Sequence, residues 1–574
     1  MKLRPAVLLL ILSSITAFAL SVAGLRSLPE GYSVSTCVYL AFQMFALSGG
    51  DVEGEVPWML EVGRFLAPAT TLGGVYAAAH AFFRRVWGSF RLRLARGHTI
   101  VCGAGTKGSL LARELAAAGE RVVLVDPVEP DEAERLRAEG IVVIEGSGGD
   151  AEALSAAGLE RAARLVCLSG DDRANIGMAL AAAASLPHER VSDPLEVHVH
   201  VTGVTMRDVL QRNRLFDLEH DRRSHIRLFN SLANRARLTL AECPLEWDAA
   251  SGLHDEVHLV VGALGPFERA LVIHAAQTGH FRDGGKVAVH LVSTQARADE
   301  ASLRREYPGI TECVGLKTHL LGDEGEFVAA AAALVSDCGP GALVTLLRCG
   351  SPEPALTDAL LLSERVQDGP VVRALLDAPG DSGVRKTVEE NGPLLSWVRF
   401  LPDLGLACGT EAVFAAKLDS VARRIHEVWK AGTDERIRKA EAAGDADTAA
   451  KHRAKDTYRE WDALTEQQKD VNRLAADHLL TKVRSLGLDP ADRDGLVAAW
   501  QSLDESQLDE LARMEHERWA APLWMAGWKS GPRDDSRRIH NNLVPYDELD
   551  QGTKNYDIEQ VKAVPSYLGR SGSI

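Results

Sequence analysis

The sequence lacks paired cysteines and a surplus of positive charge, and it has no long uncharged apolar run beyond its N-terminal part. Its eight cysteines are scattered over 574 residues without a Cys-x-x-Cys pair, which argues against a disulfide framework and a cysteine zinc site. The formal net charge of -16 has the wrong sign for a nucleic-acid-binding protein. Most of the chain is therefore expected to form soluble domains in a reducing compartment.

Two uncharged apolar runs, residues 5–24 and 65–83, lie within residues 1–96. Both are long enough to span a membrane, and basic residues flank the same side of each, as expected for a hairpin with both ends in the cytoplasm. We therefore predict an α-helical transmembrane hairpin in the cell inner (plasma) membrane, multi-pass, with the soluble domains cytoplasmic. The alternative for the first run is a cleaved signal peptide, for which Ala17-Phe18-Ala19 offers a cleavage site.

A shorter apolar segment, residues 34–47, lies between the two runs and leads into Ser48, Gly49, Gly50 and Asp51. Its length is typical of a re-entrant segment, and glycine-rich backbone is tolerated at membrane depth where it lines a water-filled path. We predict that these four residues form a pore loop. The alternative is a plain two-helix anchor with a hydrophobic linker.

A strand, a glycine turn, a helix and a second strand follow from residue 99. Residues 103–108 read Gly-Ala-Gly-Thr-Lys-Gly, a complete G-x-G-x-x-G, and the second strand ends in Asp126. The glycines allow a pyrophosphate to approach the helix N-terminus, and an acid at this distance accepts hydrogen bonds from a ribose diol. The acid at position 126 favours an unphosphorylated ribose over NADP. The alternative is a Rossmann-like fold that has lost its ligand.

The predicted cofactor is NAD(H) or another adenine nucleotide. The candidate binding residues are those of the turn and the acids that follow the next two strands: Gly103, Gly105, Thr106, Lys107, Gly108, Asp126 and Asp150.

Alternating strands and helices continue to about residue 240 and predict a doubly wound parallel sheet. The glycine turn, the loop at 146–154 and the segment 169–172 together resemble the RCK (TrkA-N type) family of regulators of potassium conductance. The resemblance implies a dinucleotide-binding domain over residues 97–240. The chain departs from the family at Gly146-Ser147, where Gly-Asp is usual.

A second, degenerate α/β pattern occupies residues 241–430. Its apolar segments at 256–265, 286–293 and 342–347 read as strands, but its turn is not a G-x-G-x-x-G and no acid closes its second strand. We interpret it as a structural Rossmann-like domain. Two such domains per chain would give eight in a homotetramer, the ring that the RCK family forms. The histidines show no metal-like spacing, so no metal site is predicted.

The N-terminal order of helix, short apolar helix, Gly-Asp and helix is similar to the two-transmembrane potassium-channel pore. Gly50-Asp51 match the end of the filter motif of that family, whereas residues 47–49 depart from it. The resemblance implies a path for a monovalent cation and leaves potassium selectivity open.

A charged, alanine-rich helix predicted over 433–455 connects to the rest of the C-terminal region, residues 431–574. Residues 514–557 resemble the ryanodine-receptor (RyR) repeat domain, which implies a small all-α module. Residues 461–464 align with 546–549, which indicates two copies of one helical unit with a ligand cleft between them.

The candidates for stacking on a base or pairing with phosphate in this module are Arg518, Trp519, Trp528, Lys529, Arg533 and Tyr546. The alternative is that the tryptophans belong to the core and the arginines to the surface.

Together these features predict a nucleotide-regulated cation channel and no enzyme. The partners expected are the membrane, a monovalent cation and a small nucleotide ligand, and not nucleic acid. One alternative is a membrane-anchored nucleotide-sensing signalling or defence effector without selective conduction. The other is a membrane-tethered NAD-dependent oxidoreductase, although no His/Asp or Tyr/Lys set follows the glycine turn to carry hydride chemistry.

Overall fold

The computed structural model describes residues 5–29, 31–46, 48, 56–187, 193–203, 206–207, 210, 223–348, 350, 352–365, 369–378, 382–392, 395–414 and 417–568. The chain divides into two compact units, Met1–Ala95 and Arg96–Ile574. Of the four predicted pore residues, Ser48 is described, whereas Gly49, Gly50 and Asp51 lie outside the described residues.

The first unit contains three helices in its described part: α1 (Pro5–Arg26), α2 (Val34–Phe45) and α3 (Trp58–Leu94). Helix α1 packs along α3, and two glycines allow this close approach. A Cβ added at Gly24 would lie 2.6 Å from the backbone nitrogen of Leu60, and one at Gly63 would lie 2.3 Å from Ser21 Oγ.

Within the described part of the chain, one helix is long and apolar enough to span a membrane, over Leu8–Arg26. The second predicted span, residues 65–83, is helical as part of α3 but does not meet the same criterion. Pro68, Thr70 and the glycine pair at 73–74 dilute its apolar character. The structure therefore supports the first membrane helix of the predicted hairpin and does not show a second one.

The second unit begins with a parallel six-stranded sheet in the order β3-β2-β1-β4-β5-β6. This topology confirms the predicted doubly wound sheet, and β6 was not predicted. The elements are β1 (Thr99–Cys102), α4 (Thr106–Ala117), β2 (Val122–Val125), α5 (Pro130–Ala138), β3 (Val142–Ile144), α6 (Ala151–Ala156), β4 (Arg164–Cys167), α7 (Asp172–Ser185), β5 (Leu195–His200) and β6 (Ser224–Phe229). The strand order reverses between β1 and β4, and ligands of such sheets bind in the crevice at this point.

A second parallel sheet repeats the same topology, in the order β11-β10-β9-β12-β13-β14. The predicted second Rossmann-like sheet is thus present. Its elements are α8 (Ser231–Glu242), β7 (Trp247–Asp248), β8 (Gly252–Leu253), β9 (Glu256–Val261), α9 (Pro266–Thr278), β10 (Ala288–Ser293), α10 (Ala296–Glu306), α11 (Ile310–Cys313), β11 (Gly315–Leu320), α12 (Phe327–Ser336), β12 (Ala342–Leu347), α13 (Pro352–Arg365), β13 (Val371–Leu376), α14 (Gly383–Glu390) and β14 (Val398–Phe400).

The C-terminal region is mostly helical, with one pair of two-residue strands that the predicted all-α module did not include. Its elements are α15 (Leu404–Cys408), α16 (Thr410–Val413), α17 (Ser420–Ala442), α18 (Ala446–Arg453), α19 (Glu466–Asp477), α20 (Leu479–Ser485), α21 (Arg493–Gln501), α22 (Glu505–Met525), β15 (Lys529–Ser530), β16 (Ile539–His540), α23 (Gln551–Lys562) and α24 (Val564–Leu568).

The single helix predicted over 433–455 is wrong. Helix α17 ends at Ala442, and Gly444 adopts a positive φ of 75°, which turns the chain so that α18 packs back on α17. The boundary predicted at residue 430 falls inside α17, and the buried residues of this helix make it part of the C-terminal core.

Candidate nucleotide-binding sites

The glycine turn after β1 has the geometry of a phosphate loop. Gly103 adopts a φ of +114°, and a Cβ there would lie 2.6 Å from the carbonyl oxygen of Leu168. A Cβ at Gly108 would lie 1.8 Å from the carbonyl oxygen of Gly103, so the first turn of α4 sits directly on the end of β1. These two glycines are required by the protein itself.

Gly105 differs from its two neighbours in the motif. It is the N-cap residue of α4 and, as a glycine, has no side chain to cap the helix. A Cβ added at Gly105 would meet no heavy atom within 4 Å. The absent side chain therefore leaves open space in front of a helix N-terminus, where backbone N–H groups and the helix dipole favour an anion. Thr106 is exposed beside it, and Lys107 is half-buried.

Asp126 follows β2 and holds the glycine turn. Its Oδ2 accepts a hydrogen bond of 2.8 Å from the backbone N–H of Ala104. A carboxylate keeps further lone pairs after one such bond, so Asp126 can accept from a ribose hydroxyl while it fixes the loop. The sequence predicted only the contact with ribose.

The loop after β3 lies at the same edge of the sheet, because Cys102 pairs with Val125 and Val125 with Ile144 in the parallel register. Asp150 is exposed at the N-cap of α6 and makes no side-chain cap bond. The structure thus places the glycine turn, Asp126 and Asp150 on the carboxyl edge of three adjacent strands.

The opposite wall of the crevice comes from the loops after β4 and β5. Asn175 is fully buried, and its amide accepts from the N–H of Ser169 at 2.7 Å and donates to the carbonyl of His200 at 3.0 Å. Asp172 accepts from the N–H groups of Thr202 at 3.0 Å and Gly203 at 2.7 Å. The acidic motif at 169–172 therefore has a structural role, tying the two loops together.

Two basic side chains, His200 and Lys107, lie near Asp172 on this wall. Burial, and then the nearby Lys107, lower the pKa of His200 to about 4. Burial also lowers the pKa of Lys107, while the Cys408 thiol and the Asp172 carboxylate act in the opposite direction. His200 is thus neutral at physiological pH.

The segment that leaves the second sheet returns to this site. The Glu114 carboxylate on α4 accepts from the N–H of Thr410 at 3.1 Å and from its hydroxyl at 2.6 Å. A Cβ at Gly409 would lie 2.3 Å from that carboxylate, so the segment and α4 are in close contact. The sequence did not predict this contact, because Glu114 and Thr410 are 296 positions apart.

A cavity of about 620 Å³ lies in the C-terminal region between helices α17 and α19 on one side and α22 and α23 on the other. Of the six predicted ligand residues, the structure brings Arg518, Trp519 and Arg533 to its wall. The other three, Trp528, Lys529 and Tyr546, do not line it.

Tyr546 and Arg518 have partners within the protein. The Tyr546 hydroxyl donates to Asp509 at 2.9 Å, and its ring is buried beneath Lys554, whose Nζ lies 4.7 Å from the ring centroid. Arg518 is buried and bonds to Glu515, which also binds Lys482. Although burial opposes it, these two cations hold the pKa of Glu515 well below its usual range. Trp519 and Arg533 are the predicted residues that face the cavity without such a buried partner.

The second sheet carries a group that sequence spacing did not reveal. His258, His290 and His319 stand on adjacent strands and form a chain of hydrogen bonds of 3.0 and 3.1 Å between their rings. One ligand atom each of Glu256, His258 and Cys338 lie within 4.8 Å of one another, a set able to hold a metal ion. The set brings together β9 and the turn after α12, which are distant in the sequence.

Two domain families match this chain. The TrkA-N domain model matches residues 99–202, and the RyR domain model matches residues 499–572. No curated protein matches the chain in sequence.

Among solved structures, the chain is similar to the crystal structure of GsuK bound to ADP, at 15% identity, over 70% of this chain and 94% of that chain, with a TM-score of 0.35. It is also similar to the GsuK channel bound to NAD, at 14% identity, over 70% of this chain and 81% of that chain, with a TM-score of 0.34. These two likenesses are too distant to carry a functional argument. The chain therefore carries one segment that matches the TrkA-N domain model and another that matches the RyR domain model.

Proposed function

We propose that this protein is a membrane-anchored, channel-like protein whose conduction of monovalent cations is controlled by an adenine nucleotide at the glycine turn. The observation that carries the proposal is the open position at Gly105, at the N-terminus of α4 and beside Asp126. The match to the TrkA-N domain over residues 99–202 supports it.

The proposed ligand is NAD(H) or a related adenine nucleotide. Its phosphates lie before α4, where Gly105 leaves room and Lys107 supplies a positive charge. A ribose diol donates to Asp126, and the carboxylate disfavours a 2′-phosphate by charge repulsion. The loop that bears Asp150 closes the adenine side.

Coupling to the rest of the second unit follows from the contact between α4 and the segment 404–414. A ligand shifts an equilibrium only by its different affinity for the two states, and typical couplings are on the order of 1–3 kcal/mol. Because α4 starts at the ligand and bonds to Thr410 through Glu114, movement of this helix on binding would reach the chain that leaves the second sheet. The cavity of the RyR-type region is proposed as a second, nucleotide-type ligand site.

The membrane part of the proposal is a homotetramer with Ser48, Gly49, Gly50 and Asp51 at its axis. Asp51→Asn removes a carboxylate from the predicted pore mouth and should reduce cation flux into liposomes. Asp337→Asn, an exposed change in the second unit, is the control. Flux that Asp51→Asn leaves unchanged, or a dimeric mass, would remove the pore assignment.

Among the described residues, a single helix is long and apolar enough to span a membrane, and this favours a second candidate, a nucleotide-sensing membrane effector without selective conduction. Purified protein that binds nucleotide but passes no cations would support that function. Turnover of NAD(H) by the purified chain would instead support the membrane-tethered oxidoreductase.

Binding is tested by calorimetry on the full chain in detergent. Gly105→Val fills the space before α4, so NAD should bind the wild type and fail to bind this variant. Gly177→Val is the matched control, since Gly177 lies exposed on α7 with no heavy atom near its added Cβ. Equal binding by all three proteins would overturn the proposed site.

A further inference from the structure

The cavity of the RyR-type region lies between two copies of one helical unit. Helices α17 and α22 carry the same pattern, Arg-x-x-His-Glu-x-Trp, at residues 423–429 and 513–519. Each copy continues with a short 3-10 turn and a helix, α19 in the first copy and α23 in the second. The match to the RyR domain covers only the second copy, from residue 499.

The side chains of this pattern make the same contacts in both copies. One ring nitrogen of His426 donates to the carbonyl of Arg459 at 2.8 Å, and that of His516 donates to the carbonyl of Val544 at 2.9 Å. The imidazole rings stack on the tryptophan of the same helix, with centroids 5.8 Å apart in the first copy and 5.5 Å in the second. The two copies therefore share a three-dimensional arrangement as well as a sequence pattern.

The arginines of the pattern behave alike as well. Arg423 forms two bonds of 3.3 Å with Asp462, and Arg513 forms two bonds of 2.7 Å with Asp547. Both pairs fix the helix to the 3-10 turn of its own copy. Each copy is therefore braced in the same way.

The cavity wall is built from such equivalent pairs. His426 and His516, Trp429 and Trp519, and Asn472 and Asp557 all line it. Both tryptophans are half-buried, so part of each remains open. A volume of about 620 Å³ is in the range of small-molecule sites and has room for more than one ring system.

Charge on the wall is less symmetric. The cations are Arg436, Lys455, Arg518 and Arg533, and the carboxylates are Glu515, Asp557 and Glu559. Arg518 and Glu515 bond to each other, Arg436 lies 3.7 Å from Glu559, and Arg533 pairs with Asp535 at 3.0 Å.

Lys455 is the cation available to a ligand. No carboxylate lies within ion-pair distance of it in the described part of the chain, and burial and the neighbouring Arg436 lower its pKa. The Nε of Arg436 is buried without a hydrogen-bond partner among the described atoms. Lys455 and the neighbouring Arg436, which keeps its contact with Glu559, bring two positive charges to the cavity wall, and such charges are suited to a phosphate group.

We infer that this cavity binds one nucleotide that carries two bases joined through phosphate, with one base against Trp429, the other against Trp519, and phosphate at Lys455 and Arg436. The inference rests on the proposed function, which assigns the cavity a nucleotide-type ligand, and it adds that the ligand has two bases. A single mononucleotide would leave one of the two equivalent tryptophans without a base against it.

The test is calorimetry on the full chain in detergent, with Gly105→Val in the background so that the glycine turn does not contribute. The probes are a cyclic dinucleotide of two adenosines, NAD and AMP. A two-base probe should bind once per chain. Trp429→Leu and Trp519→Leu should each lower its affinity about tenfold, since stacking of one base on an aromatic side chain has about this strength.

Two controls accompany these variants. Trp528→Leu changes a half-buried tryptophan that does not line the cavity, and it should leave the affinity unchanged. Lys455→Gln should weaken both two-base probes, whereas the exposed Lys451→Gln should not. These lysines lie at the surface of the fold, so their variants keep the test valid even where a tryptophan variant unfolds.

Three results would overturn the inference. Two molecules of AMP bound per chain, or a loss of affinity on changing Trp519 but not Trp429, would show a nucleotide site without the two-base ligand, and the proposed function would stand. If no probe binds the folded protein, the inference and the proposed second ligand site both fall. The glycine turn is judged separately, by NAD binding to the chain that retains Gly105.

Discussion

The two six-stranded sheets of this chain share one topology but differ at the loop where a nucleotide would bind. In the first sheet, Gly105 opens the N-terminus of α4 to empty space. In the second sheet, Leu264 occupies the turn and packs on the core, and Pro266 removes one N–H from the first turn of α9. The second sheet therefore repeats the topology of the first without its open helix N-terminus.

The positions that follow β2 and β10 show the same contrast. Asp126 follows β2 and presents a carboxylate to the crevice, whereas Thr294 follows β10 and donates its hydroxyl to Glu324 at 3.0 Å. Gly262 of the second turn lies against Phe327 and Arg348, with an added Cβ only 3.0 Å from the Phe327 ring. Phe327 and Arg348 thus lie close against the second turn, and a nucleotide is proposed for the first sheet alone.

The largest expected effect concerns the glycine that the first turn requires. Gly108→Ala places a Cβ 1.8 Å from the Gly103 carbonyl oxygen, so it should destabilise the protein by about 3 kcal/mol through overpacking. Gly177→Ala is the matched control and should be neutral or slightly stabilising. Thermal unfolding of both variants checks this, and equal melting temperatures would show that the turn is looser than described.

The contact between Phe327 and Arg348 at the second turn should matter for stability and not for nucleotide binding. Arg348 forms an ion pair with Asp358, with an N···O distance of 2.7 Å, and its guanidinium lies 4.6 Å from the centroid of the Phe327 ring. Arg348→Ala leaves Asp358 unpaired, which should cost about 2 kcal/mol of stability while NAD affinity stays the same. Arg297→Ala, at an exposed position, is the control. A change in NAD affinity with Arg348→Ala would mean that the second crevice also takes the ligand.

The histidine chain of the second sheet predicts a pH dependence. Burial, and then the neighbouring His258 and His319, lower the pKa of His290 to about 3. Below about pH 6.5 the unfolded chain takes up a proton at this residue that the folded chain does not. The free energy of unfolding should therefore decrease as the pH is lowered, and His290 should account for a loss of about 2 kcal/mol at pH 5 relative to neutral pH.

Hydrogen exchange at pH 7 and pH 5 locates the effect, and strands β9 to β11 should lose protection. His290→Gln should reduce the difference between the two pH values, whereas His225→Gln, in the first sheet, should not. A pH response that His290→Gln leaves intact would assign it to other groups.

The smallest expected effect is on cofactor choice. Asp126→Asn removes the charge that repels a 2′-phosphate, and it should raise the affinity for NADP relative to NAD about tenfold, or about 1.4 kcal/mol. Competition binding on the full chain measures this ratio. Equal affinity of the wild type for the two cofactors would contradict the role of Asp126.

The two sheets also show how far the sequence alone reaches. Buried central strands such as β1 and β9 were predicted because they are continuous apolar runs. Strands β11 and β14 were not, because their residues are half-exposed at the sheet edge and read as loops. Strand β6 was missed for the same reason, since Ser224–Phe229 mixes polar and apolar residues.

The C-terminal cavity shows a different limit. The alignment of 461–464 with 546–549 indicates two copies, but the Arg-x-x-His-Glu-x-Trp pattern at 423–429 falls within residues 241–430, which the sequence analysis assigns to the second Rossmann-like domain. The second copy of this pattern at 513–519, with the same spacing, could have revealed the repeat. What the sequence could not give was the exclusion of Tyr546 from the cavity, since an aromatic residue in a core and one at a ligand read alike.

The central claim is that nucleotide binding at the open glycine turn controls cation flux, and it is tested most directly by flux into liposomes with and without NAD. The wild type and Gly177→Val should change their flux when NAD is added, and Gly105→Val should not respond. If Gly105→Val responds to NAD as the wild type does, or if no protein passes cations under either condition, the account is contradicted.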